Sequence, residues 1–311
     1  MRKIVVDKNG AGRRVDQFLR REMPALPKSL LYRALRKGKV KLEGKKAKPD
    51  ARVSEGDTLL VYLEDNFFAK EPSPMDFLHA PRALNVIFED ENILILDKPS
   101  GLLCHADDRE FTDTLIARIQ RYLYEKGEFV HDGGFTPALA NRIDRNTSGL
   151  VMAAKNAETL RVLNEKIKMR EIEKHYLCLV HGEPPEEFSC DNYLLKNAKT
   201  NTVQVFEKPH PSAKTAHTQF RRVEQKGGCA LLEANLITGR THQIRAQLAH
   251  VGYPIVGDGK YGKVDGKHGR RQCLCAYKLR FAFSGECALG YLNGLEFFAR
   301  DAWFLCMENI L

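Results

Sequence analysis

Apolar residues recur at helical spacing in two stretches near the N-terminus. Val15, Phe18 and Leu19 share one helical face. Leu31, Ala34 and Leu35 share the face of a second helix, predicted over 30–37, which Ser29 can N-cap and Gly38 can end. Its opposite face carries Arg33, Arg36 and Lys37. Alternation then takes over, with a short strand at 39–42, turns at Glu43-Gly44 and Ser54-Glu55-Gly56-Asp57, and a strand at 58–63. Residues 65–84, with Pro72, Pro74 and Pro81, hold no sustained period and predict a linker. Beyond it, two apolar strands within 86–98 flank the acidic turn Glu89-Asp90-Glu91. A buried strand is predicted at 150–154, a helix at 157–168, a strand at 175–181 and strand segments around 203–205, 217–220 and 230–234. A last helix runs from Thr241 to Gly252. No repeat of fixed period interrupts this α+β succession. The expected organisation is a small α/β domain at 1–64, a linker at 65–84 and a larger domain at 85–311.

A chain of 311 residues with 43% hydrophobic content can bury one large core and a smaller one. The net charge of +9 is unevenly placed. Residues 1–64 hold 17 Lys and Arg against 8 Asp and Glu, so this first fifth carries the whole excess and the remainder balances. Such a distribution marks a polyanion-binding module on a neutral body. The N-terminus has charge on both sides of a three-residue apolar stretch, unlike a secretory signal, and no apolar run approaches a membrane span. The eight cysteines lack a CxxC pair, and several fall within apolar strands, as expected of reduced thiols in a cytoplasmic protein. Nothing in the pattern calls for an obligate protein partner, and a monomer is expected.

Two strings carry the chemistry. The first is Arg142-Ile143-Asp144-Arg145-Asn146-Thr147-Ser148-Gly149, in which flanking arginines are expected to hold Asp144 ionised. The second is Thr238-Gly239-Arg240-Thr241-His242-Gln243-Ile244-Arg245, a loop leading into a helix whose N-terminus offers backbone donors to phosphate. No ligand cluster at metal spacing, no phosphate-binding loop and no second carboxylate at glycosidase spacing accompanies Asp144. A lone carboxylate among arginines suits nucleophilic chemistry on an electrophilic carbon, without metal or cofactor. Strand alternation places Tyr176 on one face with Cys178 and Val180, where it can line a pocket or serve simply as a half-buried strand tyrosine. His242 can contact phosphate or cap the helix, or act as a general base. The loop at 260–271, with Lys260, Lys263, Lys267, Arg270 and Arg271, suits either a solvated loop or an RNA contact.

The strings around Asp144 and Arg245 resemble two motifs of the RluA family of RNA pseudouridine synthases. So do Lys174-His175-Tyr176-Leu177-Cys178-Leu179-Val180-His181-Gly182, Gly252-Tyr253-Pro254-Ile255-Val256-Gly257-Asp258 with Tyr261-Gly262, and Asp97-Lys98-Pro99-Ser100-Gly101. The basic segment, through Arg14-Val15-Asp16-Gln17-Phe18-Leu19, Pro27-Lys28-Ser29-Leu30-Leu31-Tyr32-Arg33 and Glu55-Gly56-Asp57, resembles the S-four RNA-binding domain. The resemblance implies a pseudouridine-synthase fold with a mixed, mostly antiparallel central sheet. It implies Asp144 as the nucleophile on a flipped uridine, Tyr176 stacking on the base and assisting proton removal from carbon 5, and Arg245 pairing with Asp144. Arg142 would fill the gap left by the flipped nucleotide. Arg145, Thr147, Arg240, His242, Ile244, Arg33, Arg36 and Lys37 would contact RNA.

The N-terminal module, beginning at Pro27-Lys28-Ser29, most resembles the RluC branch, which implies large-subunit ribosomal RNA as substrate. Transfer RNA, a non-catalytic RNA-binding role and a metal-dependent nuclease are the alternatives. Asn141 and Asn146 depart from the family, which often has histidine and aspartate there, and bear on substrate choice.

Overall fold

A computed structural model describes residues 1–7, 10–23, 26–63, 75–107, 110–129, 134–197, 200–262, 271–300, 302 and 304–305, apart from the side chain of Arg21. The chain forms two compact units, 1–75 and 76–311. In the first, β1 (Arg2–Val5), α1 (Val15–Glu22), α2 (Lys28–Arg36), β2 (Val40–Leu42), β3 (Lys45–Lys46) and β4 (Thr58–Val61) follow in order. The strands make an antiparallel sheet ordered β1-β4-β2-β3. Val15, Phe18 and Leu19 meet Leu31, Leu35, Val40, Leu59 and Val61 in its core. Asp16 joins the helices by accepting from Tyr32 Oη at 2.6 Å and Arg14 Nη2 at 3.0 Å.

Helix α2 starts two residues before the predicted position. Pro27, not Ser29, occupies the cap, and its carbonyl accepts the Leu30 and Leu31 N–H groups. Proline is preset for a helix start and needs no side-chain cap there. Gly38, at φ 69°, ends the helix as expected. Arg33, Arg36 and Lys37 are exposed.

The larger unit contains β5 (Val86–Glu89), β6 (Ile93–Lys98), α3 (Leu115–Glu125), β7 (Ala138–Leu139), β8 (Ser148–Ala154) and α4 (Ala157–Lys168). After these come β9 (Ile172–His181), β10 (Glu187–Asn197), β11 (Thr202–Phe206), β12 (Lys214–Lys226), β13 (Cys229–Leu236), α5 (Gln243–His250), β14 (Leu274–Phe281) and β15 (Glu296–Phe298). The main sheet runs β11-β10-β12-β13-β9-β14-β8-β6-β5, with β15 on β14 and β7 on β8. The β8–β14 pair is parallel and the other pairs are antiparallel, giving the mixed, mostly antiparallel sheet expected.

Central strands are buried on both faces, which explains their nearly unbroken apolar sequence. Leu94, Leu96, Val151 and Ala153 join one core with α3, while Ile93, Ile95, Leu150 and Met152 join another with Leu163 of α4. Of the expected linker, residues 65–74 lie outside the described set. Residues 76–79 form a 3-10 turn whose Phe77 ring packs 5.5 Å from Tyr124 and 5.6 Å from Phe129. At the acidic turn, Asp90 Oδ1 accepts the Asn92 and Ile93 N–H groups, while Glu89 pairs with Lys126 and Lys155. Among the described residues seven cysteines are free thiols, six of them buried. Among the described residues no helix is long and apolar enough to cross a membrane.

Gly149 fixes the junction of β8 and β14. Its φ is 107°, and a Cβ there would lie 2.2 Å from the Ala276 carbonyl oxygen. Gly149→Ala is expected to cost about 3 kcal/mol, from the left-handed backbone and the collision together. Urea unfolding of the variant beside the parent measures it.

Candidate active site

Asp144 lies in the loop at 140–147 that feeds β8, next to the parallel pairing with β14. The loop is fastened from several sides. Asn141 Oδ1 accepts the Met152 N–H at 2.8 Å, and the Thr147 N–H closes a turn onto the Asp144 carbonyl at 3.1 Å. Gln272 Nε2 donates to Thr147 Oγ1 at 2.6 Å. Lys98, wholly buried at the end of β6, donates to the carbonyls of Pro99 (2.9 Å), Leu102 (2.7 Å) and Arg145 (3.0 Å). Burial draws its pKa down to about 8, against the charge of Asp144.

Opposite stands Arg245, the third residue of α5. Its Nη1 donates to Asp144 Oδ2 at 2.8 Å, while Nε and Nη2 clamp Asp258 at 2.7 and 2.9 Å. Burial opposes the guanidinium's charge, but Asp258 and then Asp144 more than offset this and raise its pKa above the usual value. For Asp258, burial pushes upward. The Arg245 bonds and charge, with the Lys260 and Tyr261 N–H groups, win and hold the carboxyl below the usual range. The bidentate edge leaves one nitrogen fixed in direction, and that nitrogen meets Asp144.

The predicted start of the last helix is corrected here. Thr241 and His242 lie outside α5, because His242 has a left-handed φ of 52° that no helical residue adopts. His242 caps nothing through its side chain. Its Nδ1 instead lies 2.8 Å from Tyr261 Oη and its Nε2 3.7 Å from Asp144 Oδ2.

Tyr176 is 6% exposed on β9, in register with Ala234 of β13 and Ala276 of β14. Burial, with the nearby charge of Asp144, raises its phenol pKa. Arg142 is exposed. Arg145 turns its Nε back to the Gly101 carbonyl at 3.0 Å, and Arg240 directs its Nε to the Thr215 carbonyl at 3.0 Å. Thr147 is buried against Gln272, and Ile244 is buried in the core with Leu248. Arg33, Arg36 and Lys37 belong to the N-terminal unit.

Asp144, Arg245 and His242 are thus brought together. Asp258, Tyr261 and Lys98 complete the site, and the sequence alone does not mark them as site residues. Their motif strings were visible, but the contacts that give them roles are made in the folded chain.

Residues 92–250 match the family model of RNA pseudouridylate synthases, and residues 13–59 match the S4 domain. The "Ribosomal large subunit pseudouridine synthase C" of Vibrio cholerae is 34% identical over 83% of this chain and 80% of its own length. The protein of the same name from Escherichia coli K12 is 32% identical over 83% and 79%. The solved structure titled "Human RNA Pseudouridylate Synthase Domain Containing 4" shares the fold, with TM-score 0.56 and 20% identity over 70% of this chain and 88% of that one. Sheet, domain pair and sequence agree on an RNA-modifying isomerase with an appended RNA-binding module. The chain belongs to the RNA pseudouridylate synthase family.

Proposed function

We propose that the protein isomerises uridine to pseudouridine in large-subunit ribosomal RNA, with Asp144 as nucleophile on a flipped-out nucleotide. The observation that carries the chemistry is the Arg245–Asp144 contact at 2.8 Å, aimed by the buried clamp on Asp258. A carboxylate so oriented can attack the target uridine, so that its glycosidic bond breaks and the base re-bonds through carbon 5. Fixing the geometry beforehand removes much of the entropic barrier to that attack. Tyr176 would offer its ring to the base. Its raised pKa means that the phenol starts the reaction protonated, so it can take the carbon 5 proton only by passing on its own. Exposed Arg142 would occupy the space the base vacates, offsetting a few kcal/mol of unstacking.

The choice of RNA rests on the curated relatives' names and on the basic N-terminal unit. Release of tritium from RNA labelled at uridine carbon 5 tests both parts, with large-subunit ribosomal and bulk transfer RNA assayed separately. Release from ribosomal RNA alone supports the reading. Release from transfer RNA alone would move the substrate, and release from neither would overturn the proposal.

The triple variant Arg33→Ala, Arg36→Ala, Lys37→Ala should weaken RNA binding and reduce the slope of log affinity against log salt by about 2, near the value for three lost phosphate contacts. A filter-binding salt titration reads it. An unchanged slope would remove α2 from the docking surface.

A further inference from the structure

His242 has a backbone conformation that is uncommon outside glycine and is concentrated at functional sites. The left-handed turn carries its imidazole between Tyr261 and Asp144, with the side chain only 8% exposed. The pattern of donors around it decides where its proton resides. Tyr261 Oη already accepts the Val203 N–H at 2.7 Å and has a single proton to give. If that proton goes to His242 Nδ1, the imidazole carries its own on Nε2, facing the Asp144 carboxylate. With the proton on Nδ1 instead, the Nε2 lone pair would face a carboxylate oxygen across 3.7 Å, two acceptors opposed. With both nitrogens protonated, an imidazolium would be buried beside Arg245 and Lys260. Burial first, then those two cations, outweigh Asp144 and Asp258 and bring the imidazole pKa down to about 4.

We propose that Tyr261 is a positioning residue that locks His242 as the neutral Nε2–H tautomer, which donates to Asp144 as a second donor beside Arg245. This rests on the reading of Asp144 as nucleophile. The 3.7 Å separation closes to a hydrogen bond as substrate enters, as active-site contacts commonly do. A neutral donor aims the carboxylate without placing a second positive charge on it, so orientation is gained with less loss of nucleophilicity than a second ion pair would bring. Tyr261 serves both donors, because the Arg245 guanidinium carbon lies 5.2 Å from its ring centroid. Tyr261→Phe keeps that ring and removes only the hydroxyl.

The test uses the full-length protein labelled with nitrogen-15 histidine, and long-range proton–nitrogen correlation spectra at pH 7. The His242 signals are assigned by their absence in His242→Gln. Nε2 should be protonated and Nδ1 bare in the parent, with a mixture of tautomers in Tyr261→Phe. The single-turnover rate of Tyr261→Phe on saturating RNA should fall about tenfold with RNA affinity unchanged. His242→Gln, which returns an N–H near the Nε2 position, should retain more activity than His242→Leu. An Nδ1–H tautomer or an imidazolium in the parent, or a Tyr261→Phe defect confined to RNA affinity, would overturn the proposal. The spectra are recorded without RNA and do not depend on turnover, whereas the role of Asp144 is decided separately by Asp144→Asn.

Discussion

Asp144→Asn is expected to fold and bind RNA normally while losing turnover by at least about 10⁴-fold, the scale on which removal of a nucleophile acts. The amide matches the carboxylate in shape, and its oxygen can still accept from Arg245 Nη1. Arg245 keeps its bidentate partner Asp258, so no buried charge is orphaned. The cost in stability should therefore be about 1 kcal/mol. Turnover falls because a neutral amide oxygen is a poor nucleophile toward the uridine. Tritium release and urea unfolding, measured on one preparation, separate the two effects. Turnover within tenfold of the parent would sink the nucleophile assignment, and an unfolded variant would show that Asp144 holds the loop together.

Much of the candidate site was legible because each of its residues sits in a string with a readable local pattern, although the contact that joins Asp144 to Arg245 spans 101 positions. The arginines around Asp144, the alternation that places Tyr176, and the helix that carries Arg245 follow from local spacing. The mixed sheet followed from the family resemblance, while apolar runs such as 93–96 and 150–154 gave strands buried on both faces. What stayed hidden depends on distant contacts or backbone exceptions. The left-handed His242 delays α5 by two residues, and no propensity scale signals a histidine there. Asp258 stands in the sequence only as the last residue of a motif string, and it is the fold that places it against Arg245, 13 positions earlier. Lys98 reads as the polar end of a strand, yet it is fully buried and gathers three carbonyls, one from the residue after Asp144. Thr147 and Ile244 carry motif identities that suggested RNA contact. Their burial shows that a motif position can be shaped by the loop and core that support a site.

Asp258→Ala should have the largest effect on stability. The substitution strips a buried guanidinium of its two-point partner, and breaking such a pair costs about 3–5 kcal/mol, because the remaining charge stays desolvated. Against a typical total of about 5–15 kcal/mol, the variant still folds, with a clearly lower unfolding midpoint. Its turnover should fall about 10²-fold, since a freed Arg245 no longer aims one nitrogen at Asp144 and small misplacements cost that much. The pH dependence has a definite sign. The folded carboxyl has a depressed pKa, so the native state binds the Asp258 proton only at lower pH than the unfolded chain, whose aspartates titrate near about 3.9. The contribution of Asp258 is complete above that value and is lost as pH falls through the folded pKa. Urea unfolding of parent and variant should differ most at neutral pH, and the two should converge progressively below about pH 4. A gap that stayed constant down to pH 2 would mean that the alanine acts through lost packing, and that the Arg245–Asp258 charge pair is not what holds the arm of the site in place.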